Sequence, residues 1–456
     1  MSLDIEFKKV FLISLGCAKN IVDSENMLGL VKQKGHQIVS SIDKAEVAII
    51  NTCGFIQSAV EECIDTILEV LTWKEKGKLE KLIVAGCFVQ RYGYKLRQEI
   101  PEVDSWLGTG EIHRIADLIT HNSCQPPLFF IGRPISLANH STPRIQTTPF
   151  YSAYLKIAEG CSHRCSFCTI PGIRGPFKSR DLSSILIEAN EMAGNGVKEI
   201  NLIAQDSTMY GKDLCTGMGL EDLLEKLVDI KGLQWIRVLY SHPFGISDRL
   251  LELIRTEERI CSYLDMPFQH ANEQILRSMR REIENEKPLE LIERLRSMPS
   301  RISLRTTLIV GFPGETDIIF RELYDFVKAA KFDHLGVFPF SPENGTAAAR
   351  LKNIPGHEVA DDRYDKIMRL QKKISKRNNQ HFVGKVIPVL IEGTSPETDL
   401  LLTGRTTTMA PDVDGQVLIN KGHGEIGRIM PTLITEAHSY DLIGEIIEEG
   451  DQSSLN

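Results

Sequence analysis

The sequence predicts an α/β chain in three parts: an N-terminal doubly wound parallel sheet, a central open, partial (β/α) barrel, and a small C-terminal OB-like β-barrel. Three observations carry this. Between residues 8 and 120, short apolar runs alternate with helical patterns. From 150 to about 345 a second alternation supplies six strand candidates, too few for a closed eight-stranded barrel. After Gly384 the pattern changes to short β runs parted by turn residues. The expected boundaries are 6–125, 147–380 and 381–450. With 456 residues, 42% hydrophobic and 25% charged, the chain has the length and composition for such cores.

In the first part, residues 10–15 form an apolar run that ends at Gly16-Cys17. Helical periodicity follows over 23–34 and stops at Gly35. Residues 47–50 lead into Asn51-Thr52-Cys53. A helix over 58–76 places Val60, Ile64, Ile67, Leu68 and Leu71 on one face, and residues 82–85 end at Gly86-Cys87. This βαβαβ order makes the sheet parallel, and such sheets bind ligands beyond their carboxyl ends. Cys17, Cys53 and Cys87 therefore share one rim. A structural zinc site would want a fourth ligand, and none stands out.

Residues 121–149 read as a linker, with prolines at 126, 127, 134, 143 and 149. In the second part, strands are expected over 154–158, 200–204, 235–240, 263–266, 303–310 and 335–340, with helices such as 219–229 and 288–298 between them. The rim then carries Cys161, Gln205, Asp206, His242, Gln269 and His270. A basic helix over 351–380 (Arg369, Lys372, Lys373, Lys376, Arg377) reads as a solvated face. In the third part, β runs are expected over 386–391, 417–419 and 426–434.

No apolar run reaches the roughly 20 residues of a membrane span. The N-terminus carries Asp4 and Glu6 and no basic leader, so a cytoplasmic location is expected. In a reducing compartment ten cysteines favour metal binding or catalysis over a disulfide framework. Cys63, Cys124, Cys215 and Cys261 have no partner spacing, and Cys63 reads as a small core residue.

Cys161, Cys165 and Cys168 form a C-x₃-C-x₂-C triplet. Three thiolates in one loop suit three irons of a cubic iron–sulfur cluster and leave the fourth open. The open iron suits a bidentate amine–carboxylate such as the methionine end of S-adenosylmethionine, and Phe167 is placed to pack near an adenine. Cys17, Cys53 and Cys87 suit a second cluster facing the same substrate. Gln205, Asp206, His242, Gln269, His270 and Arg305 are the polar candidates to face that substrate. His163 and His242 are not assigned as ligands.

The Cys161–Cys168 run resembles the signature of the radical S-adenosylmethionine superfamily. Leu308-Ile309-Val310-Gly311-Phe312-Pro313-Gly314-Glu315 resembles that superfamily's later strand and turn, which implies nucleoside binding by Gly311, Pro313, Gly314 and Glu315. With the upstream triad and a TRAM-like barrel behind, nearly the whole chain resembles the methylthiotransferases. The resemblance implies two 4Fe–4S clusters and S-adenosylmethionine. One cluster generates a 5′-deoxyadenosyl radical and the other carries the sulfur, with no side chain as acid or base. Ser14-Leu15-Gly16-Cys17-Ala18-Lys19-Asn20 and Thr169-Ile170-Pro171-Gly172-Ile173-Arg174-Gly175 resemble the ribosomal-protein aspartate (RimO-like) branch. In them, Ala18 stands in place of Pro, and Thr169 in place of an aliphatic residue. Charge points the same way. Residues 381–450 hold four basic residues (Lys385, Arg405, Lys421, Arg428) against eleven acids, a net of −7. Such a barrel repels RNA and attracts a basic protein. The expected partners are a small-subunit ribosomal protein, an electron-donor protein and a sulfur donor, with no membrane and no nucleic acid as direct substrate. The alternatives are the same chemistry on a tRNA adenosine, or a non-catalytic iron–sulfur carrier.

Overall fold

The computed structural model describes residues 7–121, 128–135, 137–281, 286–299 and 301–447. Cys124, Glu448 and Glu449 lie outside the described residues. Six parallel strands build the first sheet: β1 (Lys9–Ser14), β2 (Gln37–Ile38), β3 (Val47–Thr52), β4 (Lys81–Gly86), β5 (Ser105–Leu107) and β6 (Leu128–Phe130), in the order β2-β1-β3-β4-β5-β6. Strand alternation divides its apolar residues between two cores. Ala48 and Ile50 pack with the helix Gln57–Glu75 and with Phe88. Val47 and Ile49 pack on the other face with Met27 and Val31 of the helix Ala18–Gln33. The sheet is doubly wound, as expected.

That first helix begins five residues before the periodicity does. Lys19, Asn20, Asp23, Ser24, Glu25 and Asn26 are all buried. Lys19, Asn20 and Asp23 reach groups of the central part, Ser24 bonds to Ser14 and Asn51 of the first sheet, and Glu25 holds Arg144. The polar side of the helix is thus also a packing side and the amphipathic pattern disappears. The helix Cys87–Glu99 and the short strands β2, β5 and β6 were not expected.

The central part has β7 (Ser152–Lys156), β8 (Ala158–Glu159), β9 (Lys178–Ser179), β10 (Glu199–Ile203), β11 (Trp235–Val238), β12 (Tyr263–Asp265), β13 (Ser303–Val310) and β14 (His334–Pro339). β7, β10 and β11 form one parallel sheet and β12, β13 and β14 another. An isolated parallel bridge, Ile236 to Ile260, joins them. The result is the open six-stranded half-barrel. β8 and β9 pair as a separate antiparallel ribbon.

The two faces of these strands differ in kind. Ile200, Leu202, Ile236, Val238, Leu264 and Leu304 join the apolar core under the outer helices. The alternate residues, Glu199, Asn201, Arg237, Asp265 and Arg305, make a polar inner face. A buried polar face must be hydrogen-bonded, and at the amino ends of the strands the third part supplies the partners. β15 (Val386–Ser395), β16 (Thr398–Arg405), β17 (Val417–Lys421), β18 (Ile429–Ala437) and β19 (Leu442–Ile446) close a five-stranded barrel. β16 and β19 were missed in the sequence. Thr398, Asp399 and Leu400 at the start of β16 are not buried, so no apolar alternation marks that end.

The end of β16 and the segment after it meet the polar inner face. Arg405 pairs with Glu199 at 2.6 Å, and Arg237 pairs with the same carboxylate at 3.0 Å. Asp414 binds Arg305 at 2.5 Å and accepts from the Tyr263 hydroxyl at 2.7 Å. Arg305 was expected to face substrate. It sits in the amino-terminal half of β13, so it is a contact to the small barrel instead. The barrel's negative charge is also partly internal: Asp412, Asp414 and Glu392 all hold partners at this junction. The basic helix His357–Asn379 has an exposed basic face, but Arg363 is buried against Glu315. Among the described residues no helix is long and apolar enough to cross a membrane.

Glu199 is fully buried between two guanidiniums. Against the upward push of burial, Arg405 and Arg237 hold its carboxyl well below the usual range. Glu199→Ala leaves both cations buried without it, an expected loss of roughly 3–5 kcal/mol, measured as a lower urea midpoint of the central part. The wild-type contribution is complete above the unfolded carboxylate pKa of about 4.3 and fades as pH falls towards the folded value.

Candidate metal centre and substrate cavity

The first sheet and the half-barrel turn their carboxyl ends towards each other. One cavity of about 360 Å³ lies between them, and all six cysteines of the two triads line it. Cys17 caps the helix Ala18–Gln33, Cys53 follows β3, and Cys87 opens the helix Cys87–Glu99. Two glycines let these turns close up. A Cβ on Gly16, whose φ is +94°, would lie 2.8 Å from Cys53 Cβ, and one on Gly54 would lie 2.7 Å from Phe88 Cα. Cys63 was read as a core residue. It is buried, donates to the Cys53 carbonyl at 3.1 Å and so braces that turn.

The other triad sits in the loop between β8 and the helix Ile170–Arg174. Phe167 lines the cavity and also packs against the apolar cluster that contains Phe312 and Phe340. Among the described residues no three His, Cys, Asp or Glu side chains converge on a single metal ion. A cubic cluster asks for something else, because each thiolate ligates its own iron. Burial pushes the thiols of Cys87 and Cys168 up to about 12 and that of Cys161 to about 11. For Cys17, Lys19 and Arg174 outweigh burial and hold the thiol below its ordinary value. A cationic metal centre would favour the thiolate at each of these positions.

Of the polar candidates, Gln205, Asp206, His242 and Gln269 line the cavity. Asp206 holds His163 at 2.6 Å, and the His163 ring stacks on His242 with centroids 4.6 Å apart. The two histidines are thus occupied with each other and with Asp206. Gln205 donates to Glu159 at 2.7 Å, while its carbonyl oxygen is buried without a partner. Gln269 and Tyr240 both line the cavity at positive φ, +69° and +59°. Such strained backbone collects at functional sites.

Two of the polar candidates do not reach the cavity. Arg305 turns to the small barrel, as described. His270 is fully buried, and its Nδ1 accepts from the Asn272 N–H at 2.9 Å. Gly311, Pro313, Gly314 and Glu315 also lie outside the cavity wall. The Glu315 carboxylate accepts from the Phe312 N–H within its own turn and pairs with Arg363. Burial pushes that carboxyl up to about 7.

Sequence reasoning passed over the charged lining. Arg174 donates to Asp23 at 2.5 Å, to Asn20 at 2.5 Å and to the Cys87 sulfur at 3.2 Å. Lys156 completes the junction through Asp23 and Glu159. Arg281 approaches the Cys165 sulfur at 3.7 Å and the Pro267 carbonyl at 2.7 Å. Lys19 lies over the Tyr240 ring, 3.1 Å from its centroid. The signal for Lys19 and Asn20 was their position immediately after Cys17. Nothing local marked Arg281.

Three family models match the chain: Uncharacterized protein family UPF0004 over residues 9–108, the Radical SAM superfamily over 155–327 and the TRAM domain over 383–447. Among curated relatives, the ribosomal protein uS12 methylthiotransferase RimO of Syntrophotalea carbinolica is 47% identical over 98% of this chain and 99% of its own. That of Geotalea uraniireducens is 48% identical over 98% and 100%. In fold, the chain is similar to the radical S-adenosylmethionine methyltransferase TsrM from Kitasatospora setae, with a TM-score of 0.54 and 13% identity over 73% of this chain and 75% of that one.

The close approach at Gly54 gives a test of the upstream triad. Gly54→Ala must push the Cys53 turn away from Phe88, and with it from Cys87. The expected result is about half the iron of the wild type after anaerobic reconstitution. Full iron content would show that the three turns need not be this close.

Proposed function

Because the chain belongs to the ribosomal protein uS12 methylthiotransferase RimO family, we propose that it replaces a C–H bond at the β-carbon of an aspartate in uS12 with a methylthio group. The radical S-adenosylmethionine superfamily implies a 4Fe–4S cluster and S-adenosylmethionine, and the N-terminal family model is consistent with a second cluster. Cys161, Cys165 and Cys168 would hold the first, and Cys17, Cys53 and Cys87 the second. When bound, these groups supply reductive cleavage of S-adenosylmethionine to a carbon radical and a sulfur for transfer. The observation that carries this reading is the placing of both triads on one cavity.

The chain's own residues shape that cavity. An unactivated β-C–H needs no side-chain base, and accordingly the one acid lining the cavity among the described residues, Asp206, is taken up by His163 and Thr208. Phe167 gives an apolar wall for the nucleoside, and Gln205 and Gln269 give hydrogen-bonding groups. Burial between two units excludes water, which a carbon radical requires. The remaining exposed acids of the small barrel, such as Glu397, Asp399, Glu425 and Glu436, suit attraction of a basic ribosomal protein. An electron donor protein and a sulfur donor complete the partners, and the reaction belongs in the cytoplasm, where ribosomal proteins are found.

Two variants separate the assignments. Replacing Cys161, Cys165 and Cys168 with Ala is expected to leave one cluster and abolish 5′-deoxyadenosine formation. Replacing Cys17, Cys53 and Cys87 with Ala is expected to abolish methylthiolation while 5′-deoxyadenosine still forms. Undiminished 5′-deoxyadenosine in the first, or methylthiolated product in the second, overturns the corresponding ligand set.

The substrate is tested by mass spectrometry of uS12 and tRNA from a deletion strain and by binding at two salt concentrations. Loss of a methylthio mass from uS12 is expected, with uS12 binding weakened by salt. A loss confined to tRNA, with salt-sensitive tRNA binding, would move the substrate to tRNA.

A further inference from the structure

Four charged side chains other than the cysteines line the cavity without lying in its stacked histidine pair: Lys19, Arg174, Asp206 and Arg281. Three of them are satisfied within the protein. Arg174 is taken by Asp23, Glu159, Asn20 and the Cys87 sulfur. Asp206 is taken by His163 and Thr208. Arg281 is held by the Pro267 carbonyl and the Cys165 sulfur. Lys19 is different. It is only 8% exposed, and among the described residues no carboxylate or carbonyl accepts a hydrogen bond from its ammonium. Its ammonium lies over the face of Tyr240, and Cys17, Asp265 and Glu159 act on it as nearby charges without a hydrogen bond.

Removing an ammonium from water is costly unless a counter-charge or hydrogen-bond acceptor meets it. A ring face offers part of that and leaves the donors free. The backbone of Tyr240 is at positive φ, +59°. The helix Ala18–Gln33 begins one residue earlier, so Lys19 is fixed on a rigid element rather than on a loop. The arrangement is that of a preformed anion site on the cavity that both cysteine triads line.

We propose that Lys19 binds the side-chain carboxylate of the aspartate that is modified. This deepens the functional reading above and rests on it. The β-carbon is one bond from that carboxylate. Anchoring the carboxylate on Lys19 therefore fixes the reacting carbon in the cavity wall that both triads share, which is where orientation contributes most to rate. It also gives the site a reason to accept aspartate and refuse its neutral isostere. Asparagine has the same shape but brings no charge to a buried cation, and a site built for a specific polar partner discriminates strongly against its absence.

The test compares two substrates on three proteins. Full-length uS12 and uS12 with the modified aspartate replaced by asparagine are bound to the reconstituted full chain, to Lys19→Met and to Lys19→Arg. Wild type is expected to bind the aspartate form at least about 10-fold more tightly. Lys19→Met is expected to bind both forms equally, and Lys19→Arg to recover part of the preference. Iron content and circular dichroism establish that each variant is loaded and folded. The proposal is overturned if wild type binds both forms equally or if Lys19→Met keeps the wild-type preference. It is likewise overturned if Lys19→Met shifts only a cluster reduction potential, since the charge would then serve the cluster. If Lys19→Met cannot be loaded with iron, the wild-type ratio and that of Lys19→Arg still decide. Absence of methylthiolated uS12 with wild type is a separate failure, of the functional reading itself.

Discussion

The buried guanidinium of Arg174 joins the two halves of the site. It stands at the end of the helix Ile170–Arg174, just beyond the cysteine loop of the central part, and reaches Asp23, Asn20 and Cys87 of the N-terminal part. Lys156 runs beside it to the same Asp23. The shared carboxylate and both cations are nearly sealed from water. Ion pairs like these add little net stability, because desolvation offsets attraction, but breaking one is costly. Their effect here is geometric. They fix one carboxyl rim against the other, and the position of either cysteine triad relative to the other follows.

The same economy of buried charge organises the opposite end of the half-barrel. A closed (β/α) barrel fills its interior with layers of branched apolar residues. Here the inner face carries Glu199, Arg237, Tyr263 and Arg305, and the segment from Arg405 to Asp414 provides their partners. The small barrel is therefore structural for the central part as well as a candidate surface for substrate. Part of its net negative charge is spent internally, which reduces the number of acids left to attract a partner.

Within the cavity, polar groups are mostly committed to one another. The His163–His242 stack with Asp206 and the Gln205–Glu159 bond leave few groups open to an incoming ligand. Such commitment suits chemistry that removes a hydrogen atom, because loose acids and bases would only divert a reactive carbon. The backbone strain at Tyr240 and Gln269 lies in the same wall.

By itself the sequence determined the order of the three parts, the parallel doubly wound sheet, the half-barrel count of six strands and the two cysteine triads at carboxyl ends. These are local properties: apolar period, glycine stops and cysteine spacing. It also placed Gln205, Asp206, His242 and Gln269 at strand ends, and those reach the cavity. It could not separate Arg305 from them, because which half of a long strand faces the site depends on where the neighbouring strands begin. Nor did it show that Glu315 turns to Arg363 from a distant helix. The start of the first helix was hidden because Lys19, Asn20 and Asp23 pack against another part of the chain and so break the amphipathic pattern. Only tertiary structure decided that Arg174 would bridge the triads and that Arg281, more than a hundred residues downstream, would meet Cys165. Charge pairing across domain junctions has no sequence period, since the partners are brought together by packing alone.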